Sequence, residues 1–183
     1  GVFSRIIESN GILYFSGSRR RSNSELWRSD GTSDGTYKLK EVRLGNKGSE
    51  INAMLGLDRM LYFTASSENN VAELWKSDGT TEGTRLVKVL DRGFNADKPY
   101  RLIPLTDNTF VFDLKHDNYG YEIWVSDGTT DGTYVLCDIH QGESSAYVND
   151  YFVFKNKLYF TAEDGIHGRE IWTIPFNICE DNS

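Results

Sequence analysis

Three loops of this 183-residue chain carry paired carboxylates in glycine-rich surroundings. They are Asp30 and Asp34, Asp78 and Glu82, and Asp127 and Asp131. Calcium takes oxygen ligands of this kind, but an EF-hand loop alternates its ligands and closes on a bidentate Glu, which these loops lack. The simpler chemistry is a hairpin whose Asp accepts hydrogen bonds from its own backbone; calcium at the Asp-Gly-Thr loops is the alternative. Arg19, Arg20 and Arg21 form a basic patch in a chain of net charge −7. Guanidinium groups suit carboxylate and sulfate, so the patch could grip an acidic glycan or a partner's carboxylates, or be a solvated loop tip. Phe94, Tyr119 and Tyr147 stand in polar loops, where an aromatic ring can stack on a sugar or a partner protein. His116, His140 and His167 show no metal-ligand spacing. No Gly-x-Ser-x-Gly elbow, phosphate loop or His-Glu-x-x-His helix is present. A glycosidase would need a carboxylate pair that the sequence does not single out.

These residues need a scaffold, and composition says which kind. The chain has 10 Tyr, 10 Phe, 4 Trp and 17 Gly against 3 Pro and 2 Cys. Aromatic and glycine density favours strands and turns. It excludes a disordered chain, and the cysteine count excludes a disulfide miniprotein. No apolar run reaches the roughly 18 residues a membrane helix needs. With 20 Lys+Arg against 27 Asp+Glu, a generic nucleic-acid binder is excluded too.

The tryptophans are periodic. Trp27, Trp75, Trp124 and Trp172 are spaced 48, 49 and 48 residues apart, each closing a Glu-Leu/Ile-Trp triplet that begins at Glu25, Glu73, Glu122 and Glu170. Phe15, Phe63, Phe112 and Phe160 each lie 10 residues before those glutamates, three of them ending a Leu-Tyr-Phe run. After the first three tryptophans comes Ser-Asp-Gly-Thr-x-x-Gly-Thr, with Asp30, Asp78 and Asp127; after Trp172 it is replaced by Thr-Ile-Pro-Phe. A period of this length marks a repeat architecture.

Each unit reads as four short strands, in the second unit 51–57, 61–65, 73–77 and 85–90. The last unit shows three, near 151–154, 158–162 and 170–174. Tight turns join strands one and two, Asp-Gly-Thr hairpins join three and four, and longer crossings lead to the next unit. That layout predicts an all-β fold: a four-bladed β-propeller of four-stranded antiparallel blades, as a single domain. The blades cover about 1–48, 49–97, 98–148 and 149–183, the last without a regular fourth strand. The alternative is a fragment of a larger propeller. Tryptophans and Leu-Tyr-Phe strands are expected in the inter-blade core, with the repeated glutamates half-buried and hydrogen-bonded.

The motif Glu-Leu-Trp-x-x-Asp-Gly-Thr resembles that of the ELWxxDGT repeat proteins, a bacterial group mostly secreted or surface-bound. The resemblance covers essentially the whole chain and implies an extracellular or cell-surface setting with a binding or structural role. In that setting Cys137 and Cys179 are expected to form a disulfide; two free buried thiols are the alternative. The chain begins at Gly1, without Met or signal sequence, and reads as a mature or excised piece.

Antiparallel topology puts the strand two-to-three loops and the crossings on one face. That face is irregular, and ligand binding is expected there. The function expected from all this is a non-enzymatic structural or adhesive module without a cofactor, partnered by itself or by a cell-surface protein. A glycan-binding, lectin-like propeller is the alternative, and a glycoside hydrolase a further one.

Overall fold

The computed structural model describes residues 2–18, 24–43, 48–66, 71–91 and 98–175. Their fifteen strands form four antiparallel sheets, each in simple meander order. The first sheet is β1 (Val2–Ser9), β2 (Ile12–Ser18), β3 (Ser24–Ser29) and β4 (Tyr37–Lys40). The second is β5 (Met54–Leu57), β6 (Met60–Ser66), β7 (Ala72–Ser77) and β8 (Arg85–Asp91). The third is β9 (Ile103–Pro104), β10 (Phe110–His116), β11 (Gly120–Ser126) and β12 (Tyr134–Cys137). The fourth has β13 (Asn149–Phe154), β14 (Lys157–Glu163) and β15 (Arg169–Pro175) and, among the described residues, no fourth strand. The chain divides into two compact units, Gly1–Leu102 and Ile103–Ser183, with two sheets each. No helix among the described residues is long and apolar enough to cross a membrane.

The period-two alternation of each strand feeds two faces. In the first unit Tyr14, Leu26 and Leu39 of one sheet pack with Ile51, Leu61, Phe63 and Ala65 of the next. In the second unit Val111, Ile123 and Val125 pack with Leu158, Phe160 and Ala162. Paired strands set each phenylalanine against its tryptophan: Phe15–Trp27, Phe63–Trp75 and Phe112–Trp124 stack at 6.3, 6.2 and 6.4 Å. A register shift recurs before the tryptophan, at Leu26/Trp27, Leu74/Trp75 and Ile123/Trp124.

Several expectations are corrected. Only Trp124 among the tryptophans is buried; Trp27, Trp75 and Trp172 are half-buried. Leu13 is 43% exposed, although Leu61 and Leu158 at its repeat positions are fully buried. Glu25, Glu73 and Glu122 are buried rather than half-buried, and Glu170 is exposed on β15, beside which no further strand lies among the described residues. The first strand of the second repeat begins at Met54, not Ile51. Before it, Asn52 and Ala53 both face Thr64: the Asn52 N–H and the Ala53 carbonyl bond its backbone at 3.0 Å each, and its Oγ1 takes the Ala53 N–H at 2.9 Å, so the ladder is irregular there.

The Asp-Gly-Thr hairpins share one side-chain network. Asp30, Asp78 and Asp127 each accept from the backbone N–H and the hydroxyl of the threonine two residues on, the latter at 2.7 Å in all three. That threonine hydroxyl accepts from Gly35, Gly83 or Gly132 at 2.9 Å. A Cβ on Gly83 would stand 2.0 Å from the Asp78 carboxylate. Gly83→Ala is therefore expected to evict Asp78 and cost roughly 1–3 kcal/mol in urea denaturation. Because both changes break one network, Gly83→Ala combined with Asp78→Ala should be little worse than Asp78→Ala alone; additive losses would reject the mechanism.

Candidate functional site

Each unit contains a crossing in which one residue belongs to two sheets. In the first unit Ser49 donates its N–H to the Ser24 carbonyl at 2.9 Å and accepts from Ser66 N–H at 2.7 Å. In the second, Ala146 donates to Tyr121 at 2.9 Å and accepts from Glu163 at 2.8 Å. The next residue then turns into left-handed backbone, Glu50 at φ 44 and Tyr147 at φ 48. The repeated glutamates secure these crossings. Glu25 accepts from the Ser49 hydroxyl, whose oxygen also accepts the Arg43 N–H at 3.1 Å. Glu122 spends both oxygens on the Ile139 and His140 N–H groups, each at 3.1 Å.

Burial lifts the Glu122 carboxyl to about 7, with the Asp138 charge adding to the rise and the backbone N–H groups opposing it. Burial likewise raises Glu25, opposed chiefly by Ser49. Trp75 Nε1 donates to Glu73 at 2.9 Å. Trp124 Nε1 is buried without a partner, because Glu122 is committed to the crossing.

The loop face of the second unit gathers most of the residues singled out from sequence. His116 lies 5.4 Å from Tyr119 and 5.5 Å from Trp124, ring to ring, and its Nδ1 accepts the Asn118 N–H at 3.2 Å. His140 Nδ1 lies 3.3 Å from the Ser145 carbonyl, and its ring packs so closely on Gly165 that no Cβ would fit there. Tyr147 stacks on Tyr121 at 6.4 Å with the rings 23° from parallel, and it remains 54% exposed. Arg169 ties this corner together, donating to the Tyr147 carbonyl at 3.3 Å and to Glu163 at 3.0 Å. Asp164 accepts from the Ile166 and His167 N–H groups and pairs with His167 Nδ1 at 2.7 Å. Those bonds hold Asp164 well below the usual carboxylate range and raise His167.

Arg19, Arg20, Arg21 and Phe94 lie outside the described residues, as does Cys179. Cys137 lies on β12, and its expected pairing with Cys179 falls outside the described residues. The Asp30, Asp78 and Asp127 carboxylates proposed for calcium are taken up by threonine. Among the described residues no three His, Cys, Asp or Glu are grouped to hold a metal ion. Tyr121, Glu163 and Arg169 were not foreseen. A legible signal was there: the position before the repeated Glu is small in the first two repeats, Ser24 and Ala72, and large in the last two, Tyr121 and Arg169.

No protein-family model matches the sequence, and no curated protein matches it. Solved structures do. A puromycin hydrolase is similar at 12% identity over 87% of this chain and 25% of its own, with a TM-score of 0.54. A putative TolB from Agrobacterium tumefaciens is similar at 12% identity over 96% of this chain and 63% of its own, with a TM-score of 0.51. The fold is propeller-type. An α-L-arabinofuranosidase from Clostridium thermocellum also matches, at 11% identity over 92% of this chain and 66% of its own, with a TM-score of 0.41. This chain thus spans a quarter of the hydrolase and less than two thirds of the TolB. The expectation of a structural or adhesive module is corrected by the first of these matches, because a protein sharing the fold is a hydrolase. At such identity the likeness speaks for fold alone.

Glu122 makes stability pH-dependent in a definite direction. Its folded pKa lies above its unfolded value, so the folded state holds the extra proton and is favoured at low pH. That contribution is present below about 4.5 and is lost as pH rises toward about 7. Urea midpoints between those pH values should therefore fall with pH in the parent relative to Glu122→Gln; parallel profiles would contradict the assignment. His167 should titrate above the ordinary histidine value of 6.5 by NMR and return toward it in Asp164→Asn.

Proposed function

We propose that the loop face of the second unit is a carbohydrate-binding surface built around Tyr147. The observation that carries this reading is the Tyr147 ring, which stays 54% exposed while stacking on Tyr121 at 6.4 Å. The two-sheet crossing holds its backbone left-handed at φ 48, at a cost of about 1–2 kcal/mol. In the first unit the same kink presents Glu50, which is engaged by Lys98 and Ser66. In the second it presents a flat ring braced from beneath by Tyr121, with hydrogen-bonding groups of Arg169 and Glu163 alongside. One open aromatic face with polar neighbours suits the C–H face and hydroxyls of a sugar.

The test is an oligosaccharide array followed by calorimetry on any hit. Tyr147→Gly relieves the backbone strain while deleting the ring, so binding should drop about tenfold or more with unfolding stability kept. Equal binding by this variant, or no hit on the array, would reject the reading. Reducing-end release from the same sugars tells whether the surface serves turnover. Glu122, the carboxyl lifted to about 7, is wholly buried and committed to backbone, so it is no acid for such a reaction.

The finer reading of the fold is that these sheets are consecutive blades of a larger propeller. Ile171 is 78% exposed on the fourth sheet, whereas Leu26, Leu74 and Ile123 at its repeat positions are fully buried. Ile6 on the first sheet is 66% exposed. Further blades would cover both. Small-angle scattering decides: a radius of gyration of about 16 Å, that of a compact domain this long, would instead support four blades closed on themselves.

A further inference from the structure

Resting on the carbohydrate reading above, we infer that the Tyr147 surface selects neutral sugars and turns away uronate-bearing, sulfated and phosphorylated ones. The reason is how the charges around the ring are spent. Arg169 is the guanidinium beside Tyr147, and three of its N–H groups are spent on the protein: on the Tyr147 carbonyl at 3.3 Å, the Thr161 hydroxyl at 3.5 Å and the Glu163 carboxylate at 3.0 Å. An anionic ligand would have to compete with Glu163 for its charge. His167, the other cationic group of the loop, is paired to Asp164 at 2.7 Å. Glu170 adds a further negative charge close enough to act on His167. Asp150, three residues past Tyr147, is exposed and accepts from Thr161 Oγ1 at 2.9 Å. Carboxylates therefore outnumber cations among these residues: Asp150, Glu163, Asp164 and Glu170 against Arg169 and His167.

Such a rim repels anions through a partly exposed medium where like charges still cost energy. It welcomes hydroxyl groups, which donate to carboxylates, while the sugar's C–H face lies on the tyrosine. A cation is the other ligand that carboxylates attract, but cation recognition gathers several rings into a cage. Here Tyr147 has a single aromatic neighbour, Tyr121 at 6.4 Å and 23° from parallel, and two near-parallel rings make no cage. Geometry and charge agree on a flat, uncharged ring.

The experiment is calorimetry of the whole chain with neutral arabino-, xylo-, galacto- and gluco-oligosaccharides, set against oligogalacturonate and sulfated oligosaccharides of equal length. A neutral series is expected to bind and the charged series to bind at least tenfold more weakly. Raising salt from about 0.05 to 0.5 M should leave neutral binding unchanged. Asp150→Asn, which keeps a residue tolerant of left-handed backbone, should narrow the neutral-to-charged ratio several-fold. Charged sugars binding as well as neutral ones, or neutral binding that falls steeply with salt, would overturn the inference while leaving the carbohydrate surface standing. Binding of no sugar in either series would overturn both.

Discussion

A residue that hydrogen-bonds to two sheets at once is the constraint on which the rest depends. Ser49 and Ala146 each give their N–H to the start of one sheet's third strand and their carbonyl to the end of the next sheet's second strand. Their backbones fix the distance and angle between neighbouring sheets before any side chain is considered. Both positions are small and buried, since anything larger would push the sheets apart. The left-handed residue that follows is a geometric result, because the chain must turn away sharply after satisfying two ladders.

The repeated glutamates work for this joint, at a cost visible in their surroundings. A buried carboxylate must be supplied with donors or be neutralised. Glu122 receives two backbone N–H groups and still rises to about 7, so burial outweighs both bonds. It cannot also serve the tryptophan two residues on, and the Trp124 indole goes without. In the first unit Glu73 makes the opposite choice and accepts from Trp75. One repeat position thus alternates between fastening a connection and satisfying its neighbour's side chain.

The architecture was largely legible because the repeat spells it out. Period-two strands, Asp-Gly-Thr hairpins and a last sheet with three strands among the described residues all follow from residue type and spacing. The loop face was legible by elimination, as the part that does not repeat. What could not be read was which members of an equivalent set would differ. Leu13 opens the same Leu-Tyr-Phe run and Glu170 the same Glu-Ile-Trp triplet as buried counterparts, and their exposure depends on what lies over their sheets. Tyr147 looked like a loop aromatic; that its backbone is held left-handed by a two-sheet joint is a long-range effect no local pattern encodes. Arg169 was hidden for the opposite reason: it sits in a strand, where a charged residue ordinarily reads as solvent-facing.

The three Asp-Gly-Thr hairpins bear on how the chain ages. Asp-Gly bonds are prone to cyclise to a succinimide, which then opens to isoaspartate. That reaction needs the glycine nitrogen to reach the aspartate side-chain carbon. Here the nitrogens of Gly31, Gly79 and Gly128 already donate to serine hydroxyls at 3.1, 3.1 and 3.0 Å. The carboxylates are held by threonine. Both reactants of the ring closure are occupied elsewhere, so the network that shapes each turn also shelters its most perishable bond.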